Sequence, residues 1–322
     1  MIHSFVFDQG KLVGQDLDLD ALRLVRGDPG LHLWVDLDQP TDLEVKQVLE
    51  GVFSFHPLAI EDCVTINELP KIEDYEDYIF LVLHAIEFSK QDQFKTTELN
   101  LFLGKEFLVT YHPGPLRGVS STIDRLRHNA VVNVKGPDRL AYNIIDLLVD
   151  NYKPVIDELT KEIQEIEASL FAANPKDIVK LILNVKRELS DFRVIVAPQR
   201  EVVSRLARGE FKLIRATLLP YFRDITDNLL RYDATGLSYS DQLLLIMDVY
   251  LNKAQHETNQ VIKALAIMTA LTVPITVVSG WYGMNFRGMP ELMSPHGYWV
   301  TLLVTVVTTL LMVIWAKRRG WF

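Results

Sequence analysis

Two long apolar segments close the chain, and they limit what it can become more than any other feature. The first runs from about Ala264 to Tyr282 and the second from about Tyr298 to Ala316. Each holds about 19 residues, so as a helix each would be roughly 28 Å long, close to the thickness of a bilayer core. The stretch between them, 283–297, carries three glycines and two prolines. The pattern predicts a helical hairpin spanning a lipid bilayer, with its two outer ends on one side. Lys317, Arg318 and Arg319 flank the second segment and Lys253 and Lys263 precede the first, whereas the connection carries only Arg287. The positive-inside rule then puts both termini in the cytoplasm of a multi-pass cell (inner) membrane protein and the connection outside. Trp281, Tyr282, Tyr298 and Trp299 fall where an outer aromatic belt would lie, and Trp315 and Trp321 near the inner one.

Composition matters here through its distribution. The 322 residues are 48% hydrophobic with a net charge of -9, but charge dilutes the apolar residues until about position 260. A soluble body joined to a membrane end is expected. The acidic balance argues against a nucleic-acid partner. The single cysteine, Cys63, excludes an internal disulfide and a Cys-based zinc cluster. The N-terminus, Met1-Ile2-His3-Ser4-Phe5, lacks a basic region and a long apolar run, and reads as a first strand.

A plain two-helix anchor would satisfy the apolar segments alone. Two details point further. Pro274 sits inside the first segment, and proline at membrane depth is tolerated where other helices or a wet cavity satisfy the backbone. Asn259, Thr269, Thr272, Thr276 and Gly280 follow one another at intervals of ten, three, four and four residues, near one helical face. Ile262, Leu265, Ala266 and Val273 fall on or beside that face. Threonine and glycine also allow close helix packing, so the stripe has a structural explanation too. Two helices cannot enclose a pore; if the stripe lines one, several copies must surround an axis.

At the outer end of the first segment stands Tyr282-Gly283-Met284-Asn285-Phe286, followed by Met289-Pro290-Glu291-Leu292. A lone asparagine after a helix is otherwise an ordinary cap. Its position, directly after the penultimate apolar segment and before a Met-Pro-Glu-Leu loop and a basic tail, is what makes the motif specific. Here the sequence resembles the CorA family of magnesium transporters. The likeness extends to Asp248-Val249-Tyr250-Leu251, Asn259, Pro220-Tyr221-Phe222-Arg223-Asp224 and Pro70-Lys71-Ile72-Glu73, so it covers nearly the whole chain.

The resemblance implies a homopentameric channel for hydrated Mg2+, also passing Co2+ and Ni2+, with no organic cofactor. Gly283, Met284 and Asn285 would form the selectivity filter, with Glu291 in the outer loop. Asn259, Ile262, Leu265, Met268, Thr272 and Thr276 would line the pore, the apolar ones forming a constriction that excludes water. Asp224 and Asp248 would bind regulatory Mg2+ between subunits; the alternative for Asp224 is a solvated surface charge. The partner acid is not evident, because the matching stretch reads Glu87-Phe88-Ser89-Lys90-Gln91-Asp92. The residues support the filter independently. Mg2+ holds its water tightly, so neutral carboxamide oxygens that contact the hydration shell suit it.

The remaining chain predicts an α+β protein in three parts: an α/β domain over 1–136, a helical stalk over 137–258 and a membrane pore over 259–322. Strands are expected at 31–36 and 78–88, with a hairpin of 97–103 and 106–112 joined at Gly104-Lys105. Thr41 and Glu44 have capping-box spacing for a helix to Gly51. Farther on, one helix is expected over 138–172 and a second, capped by Asn174, to about Arg208 with Pro198 as a kink site. After a turn at Gly236, a rod is expected from near Ser240 to Pro274. The acid run Glu73-Asp74-Tyr75-Glu76-Asp77 reads as a solvated face. No phosphate loop, Ser/His/Asp signature or His-Glu-x-x-His occurs, so an enzyme is not expected. Two rivals stand: a zinc transporter of the same fold, against which Met284 argues, and a membrane-anchored enzyme or receptor.

Overall fold

The computed structural model describes residues 1–67, 69–87, 95–128, 134–170, 177–285, 289 and 294–319. Two compact units appear, Met1–Leu245 and Ile246–Phe322.

The first unit is built on one seven-stranded sheet. Its strands are β1 (Ile2–Asp8), β2 (Lys11–Gln15), β3 (Leu31–Asp38), β4 (Lys71–Asp74), β5 (Tyr78–Glu87), β6 (Lys95–Gly104) and β7 (Phe107–His112). The order is β2-β1-β3-β7-β6-β5-β4, and β3 with β7 is the parallel pair. The β6–β7 hairpin turns at Gly104-Lys105, as its sequence predicts. The alternation of β3 divides its residues between two layers. Leu33, Val35 and Leu37 join a core that includes Leu22 of α1 (Leu19–Arg26), Val45 of α2 (Asp42–Val45) and Ala59 of α3 (Pro57–Val64). Trp34, fully buried, stacks on Phe5 at 5.1 Å. Burying each such ring stabilises the fold by roughly 1.5–3 kcal/mol.

Thr41 and Glu44 form the reciprocal capping box, with Glu44 Oε2 accepting from the Thr41 N–H at 2.7 Å. The segment does not continue as an α-helix: Lys46–Val52 is π-helical. That local widening is invisible in the residue pattern.

Five further helices follow α3 in this unit or begin there: α4 (Arg117–Arg127), α5 (Pro137–Asp150), α6 (Tyr152–Ser169), α7 (Ile178–Ala207) and α8 (Leu219–Tyr282). Helix α5 packs on β6, β7 and β3, while α6 and α7 pack on β5. The single helix expected over 138–172 is in fact two, divided at Asn151. Pro154 explains the break. Inside a continuous helix it would leave the Asp150 carbonyl without its donor and crowd it; in the first turn of α6 its missing N–H costs nothing. Helix α7 ends as predicted and runs through Pro198. Its expected cap, Asn174, lies outside the described residues.

The larger correction concerns α8. The sequence predicts a turn at Gly236, but the helix is unbroken for 64 residues. Gly236 faces α7 instead, where a Cβ would stand 3.1 Å from Arg193 Cγ. The glycine serves close helix packing, a role that sequence spacing cannot separate from a turn. The remaining helix, α9 (Gly297–Arg318), and the apolar end of α8 are both long and apolar enough to cross a membrane.

Candidate ion-conducting segment

Beyond Leu245, α8 presents large apolar side chains outward. Ile262, Leu265 and Met268 are each more than half exposed. A water-soluble monomer rarely shows so continuous an apolar surface; a bilayer or neighbouring subunits would cover it.

At about 100° per residue, Ile262, Leu265, Thr269, Thr272 and Gly280 fall within about 40° of Thr276 on this helix. Met268 lies about 80° away and Asn259 about 100° in a straight helix. Underwinding to about 3.5 residues per turn would bring Asn259 to about 50°. Thr272, Thr276 and Leu265 therefore share one face, Met268 stands at its flank, and Asn259 reaches it only if the helix supercoils.

The hydroxyls on this face are turned to their own backbone. Thr269 Oγ1 donates to the Leu265 carbonyl at 2.9 Å, Thr276 Oγ1 to the Thr272 carbonyl at 2.7 Å, and Thr272 Oγ1 to the Met268 carbonyl. Pro274 cannot donate to the carbonyl of Ala270, which leaves a further backbone oxygen without its helical partner.

The helix ends at Tyr282, and Gly283-Met284-Asn285 follow at once. The Gly283 N–H still bonds the Ser279 carbonyl at 2.9 Å, and the Met284 N–H reaches Trp281 at 3.4 Å, so the last turn tightens there. A Cβ on Gly283 would stand 2.8 Å from the Ser279 carbonyl oxygen, which explains why this position holds glycine. Asn285 is exposed, and among the described residues its carboxamide makes no hydrogen bond. Its side chain is not occupied in closing α8. Glu291 lies outside the described residues.

The two acids expected to act in control are both exposed on α8, Asp224 in the first unit and Asp248 in the second. Asp248 and Asn259 are eleven residues apart, about 20° around the helix. Near Asp224 the structure adds acids that sequence reasoning missed. Burial raises the Asp146 carboxyl, and the charges of Asp150 and then Asp224 raise it further. The available signal was the spacing of Asp146 and Asp150, four residues apart on α5. Carboxylate oxygens of this kind are the hard donors that Mg2+ takes. Among the described residues of one chain, no group of three or more His, Cys, Asp or Glu is arranged to hold a metal. Of the stretch 87–92, in which no partner acid is evident, residues 88–92 lie outside the described residues. Of the acid run, Glu73 is engaged by the Tyr75 hydroxyl at 2.8 Å and Lys71 at 3.4 Å.

An α/β body whose last helix continues into an apolar segment, followed by a second such segment, defines a membrane-spanning protein, and the family it matches is one of transporters rather than enzymes. The comparisons with known proteins agree. Residues 31–318 match the family model described as CorA-like Mg2+ transporter protein. The chain is 31% identical over 296 residues to the cobalt/magnesium transport protein CorA of Thermotoga maritima, covering 91% of this chain and 84% of that one. It is 32% identical over 289 residues to the putative metal ion transporter YfjQ of Bacillus subtilis, covering 90% and 89%. Among solved structures, the complete CorA magnesium transporter of Methanocaldococcus jannaschii superposes with a TM-score of 0.81 at 22% identity, over 99% of this chain and 98% of that one. The chain belongs to the CorA-like Mg2+ transporter family. It is an integral membrane protein, and its α/β body, long helix and apolar C-terminal helix are the arrangement the sequence predicts.

Proposed function

We propose that this chain is one subunit of a homopentameric channel for hydrated Mg2+, with Co2+ and Ni2+ as further substrates. In this reading residues 1–136 form a cytoplasmic domain, 137–258 a stalk, and 259–322 the pore, with both termini in the cytoplasm. The observation that carries it is the exposed carboxamide of Asn285, which makes no hydrogen bond among the described residues, at the end of a helix face lined by Thr272 and Thr276. A ring of such amides would contact the hydration shell of Mg2+ without stripping it. Gly283 and Met284 would set the turn that aims the ring, and Glu291 would attract cations to the mouth. Ile262, Leu265 and Met268 would form the constriction, and Asn259 a polar ring on its cytoplasmic side.

Influx needs no ATP. A divalent ion gains roughly 4.6 kcal/mol on moving inward across 100 mV, at about 2.3 kcal/mol per charge. Cytoplasmic Mg2+ bound at Asp224 and Asp248 between subunits would hold the closed state, and its loss would release it.

The test is growth of a Mg2+-transport-deficient host carrying the wild-type chain or Asn285→Ala. Rescue by the wild type and loss of rescue in the variant, at equal membrane expression, are expected. Failure of the wild-type chain, or full rescue by Asn285→Ala, would sink the reading. Uptake by proteoliposomes separates the zinc alternative: zinc entry driven by a proton gradient, without Mg2+ entry, would replace the substrate assignment.

A further inference from the structure

A cleft of about 430 Å³ opens in the first unit where three pieces of chain meet: the β6–β7 turn, the start of α5, and the segment joining α7 to α8. Lys105 and Glu106 line it from the turn, Lys135 and Asp138 from the start of α5, and Lys212 and Arg215 from the joining segment.

Two carboxylates, Asp138 and Glu106, share this lining with the four cations. Asp138 is nearly fully buried and accepts from Arg215 Nε at 2.7 Å, from Arg215 Nη2 at 2.5 Å, and from the Arg215 backbone N–H at 3.1 Å. Glu106 faces Lys105 Nζ at 3.7 Å, and lies 3.2 Å from Nδ1 of His32, which makes no hydrogen bond among the described residues. Lys135 and Lys212 differ. Both are exposed, and among the described residues their ammonium groups have neither a hydrogen bond nor an ion pair.

The chain carries a net charge of -9, so two ammonium groups that line one cleft with no partner among the described residues run against its general character. Four cations (Lys105, Lys135, Lys212, Arg215) against two carboxylates leave the lining at +2, and a cleft with an excess of positive charge concentrates anions. Ligand pockets of small molecules span about 300–1,000 Å³. This cleft falls in that range and is far larger than one halide needs. The geometry points to a binding site for a phosphate-chain anion, held between Lys135 and Lys212 with Lys105 at the rim. The shared chemistry is a row of phosphates, from either an inorganic polyphosphate or a nucleoside triphosphate. The Asp138–Arg215 pair ties α5 to the joining segment through its bidentate contact. Lys212 precedes the first residue of α8, Leu219, by seven positions. A ligand bridging Lys135 to Lys212 would clamp the root of α8 to α5. The site stands independently of the transport reading.

Calorimetric titration of the full chain in detergent, with EDTA present so that no divalent metal chelates the titrant, tests this with sodium tripolyphosphate and separately with ATP. Saturable binding that weakens as salt is raised is expected. Lys135→Glu/Lys212→Glu should weaken it by at least about ten-fold, and Lys135→Arg/Lys212→Arg should retain it. Equal affinity for the two titrants assigns recognition to the phosphates alone; tighter ATP binding adds a base contact. A second measurement needs no variant: tripolyphosphate should protect Lys135 and Lys212 of the wild-type chain from amine acylation. Absence of saturable binding by both titrants, undiminished binding in the Glu variant, or acylation unaffected by tripolyphosphate overturns the proposal.

Discussion

Gly236 of α8 packs against the side chain of Arg193 on α7, with space for a Cβ only 3.1 Å from Cγ and 3.2 Å from Cδ. Arg193 cannot simply withdraw. Its Nε donates to Asp233 at 3.1 Å, and Arg200 holds the other oxygen of the same carboxylate at 3.2 Å. An alanine at 236 would gain about 1 kcal/mol of helix propensity but press on this contact, so no net stabilisation is expected. Gly236→Leu should cost about 1–3 kcal/mol through overpacking. Thermal melting of the detergent-solubilised chain measures both. Adding Arg193→Ala to Gly236→Leu should restore part of the loss; no recovery would place the strain elsewhere.

At the other end of α8, Gly283→Ala forces a methyl to within 2.8 Å of the Ser279 carbonyl oxygen. The last turn must open, which displaces Asn285. Membrane insertion should be unchanged, and Mg2+ uptake by proteoliposomes should fall to the level of Asn285→Ala. Retention of wild-type flux would show that the turn does not aim Asn285.

Thr276→Val keeps the side-chain shape and removes one hydroxyl. Because that hydroxyl bonds only the Thr272 carbonyl at 2.7 Å, an exposed bond of this type, the stability change should be within about 1 kcal/mol. Flux should fall, since the helix face loses an oxygen that could meet a hydrated ion. Equal flux at equal expression would remove Thr276 from the pathway.

Glu188 on α7 is buried, and its Oε2 has no hydrogen-bond partner among the described residues. Burial, then the charges of Glu162 and Asp191, push its pKa up to about 7. The folded chain therefore holds this proton to higher pH than the unfolded chain, and stability falls as pH rises from the ordinary carboxylate range through about 7. Glu188→Gln should raise Tm at pH 8 and leave it nearly unchanged at pH 4. An equal effect at both pH values would exclude the ionisation.

Where the pattern of residues expresses a single physical demand, the sequence is readable. The strand expected over 31–36, the Thr41–Glu44 box and the two apolar segments each answer to one cause, and each appears, the strand running on to Asp38. Pro154 and Gly236 answer to several. A proline breaks a helix or starts one, and a glycine turns a chain or lets a neighbour approach; only the positions of Asp150 and Arg193 decide. The acids around Asp224 were obscured for another reason. Asp146 lies 78 positions earlier, and no local rule brings it to α8.

The hydroxyls of Thr269, Thr272 and Thr276 have a consequence for the sign of charge. Each has its one proton turned inward to a backbone carbonyl, so it offers its surroundings lone pairs alone. Water next to such a surface must point its hydrogens toward the helix. That orientation matches the outward hydrogens of a cation's hydration shell and opposes those of an anion's, which point at the ion. A face with no formal charge can thus favour cations through the direction of its hydrogen bonds.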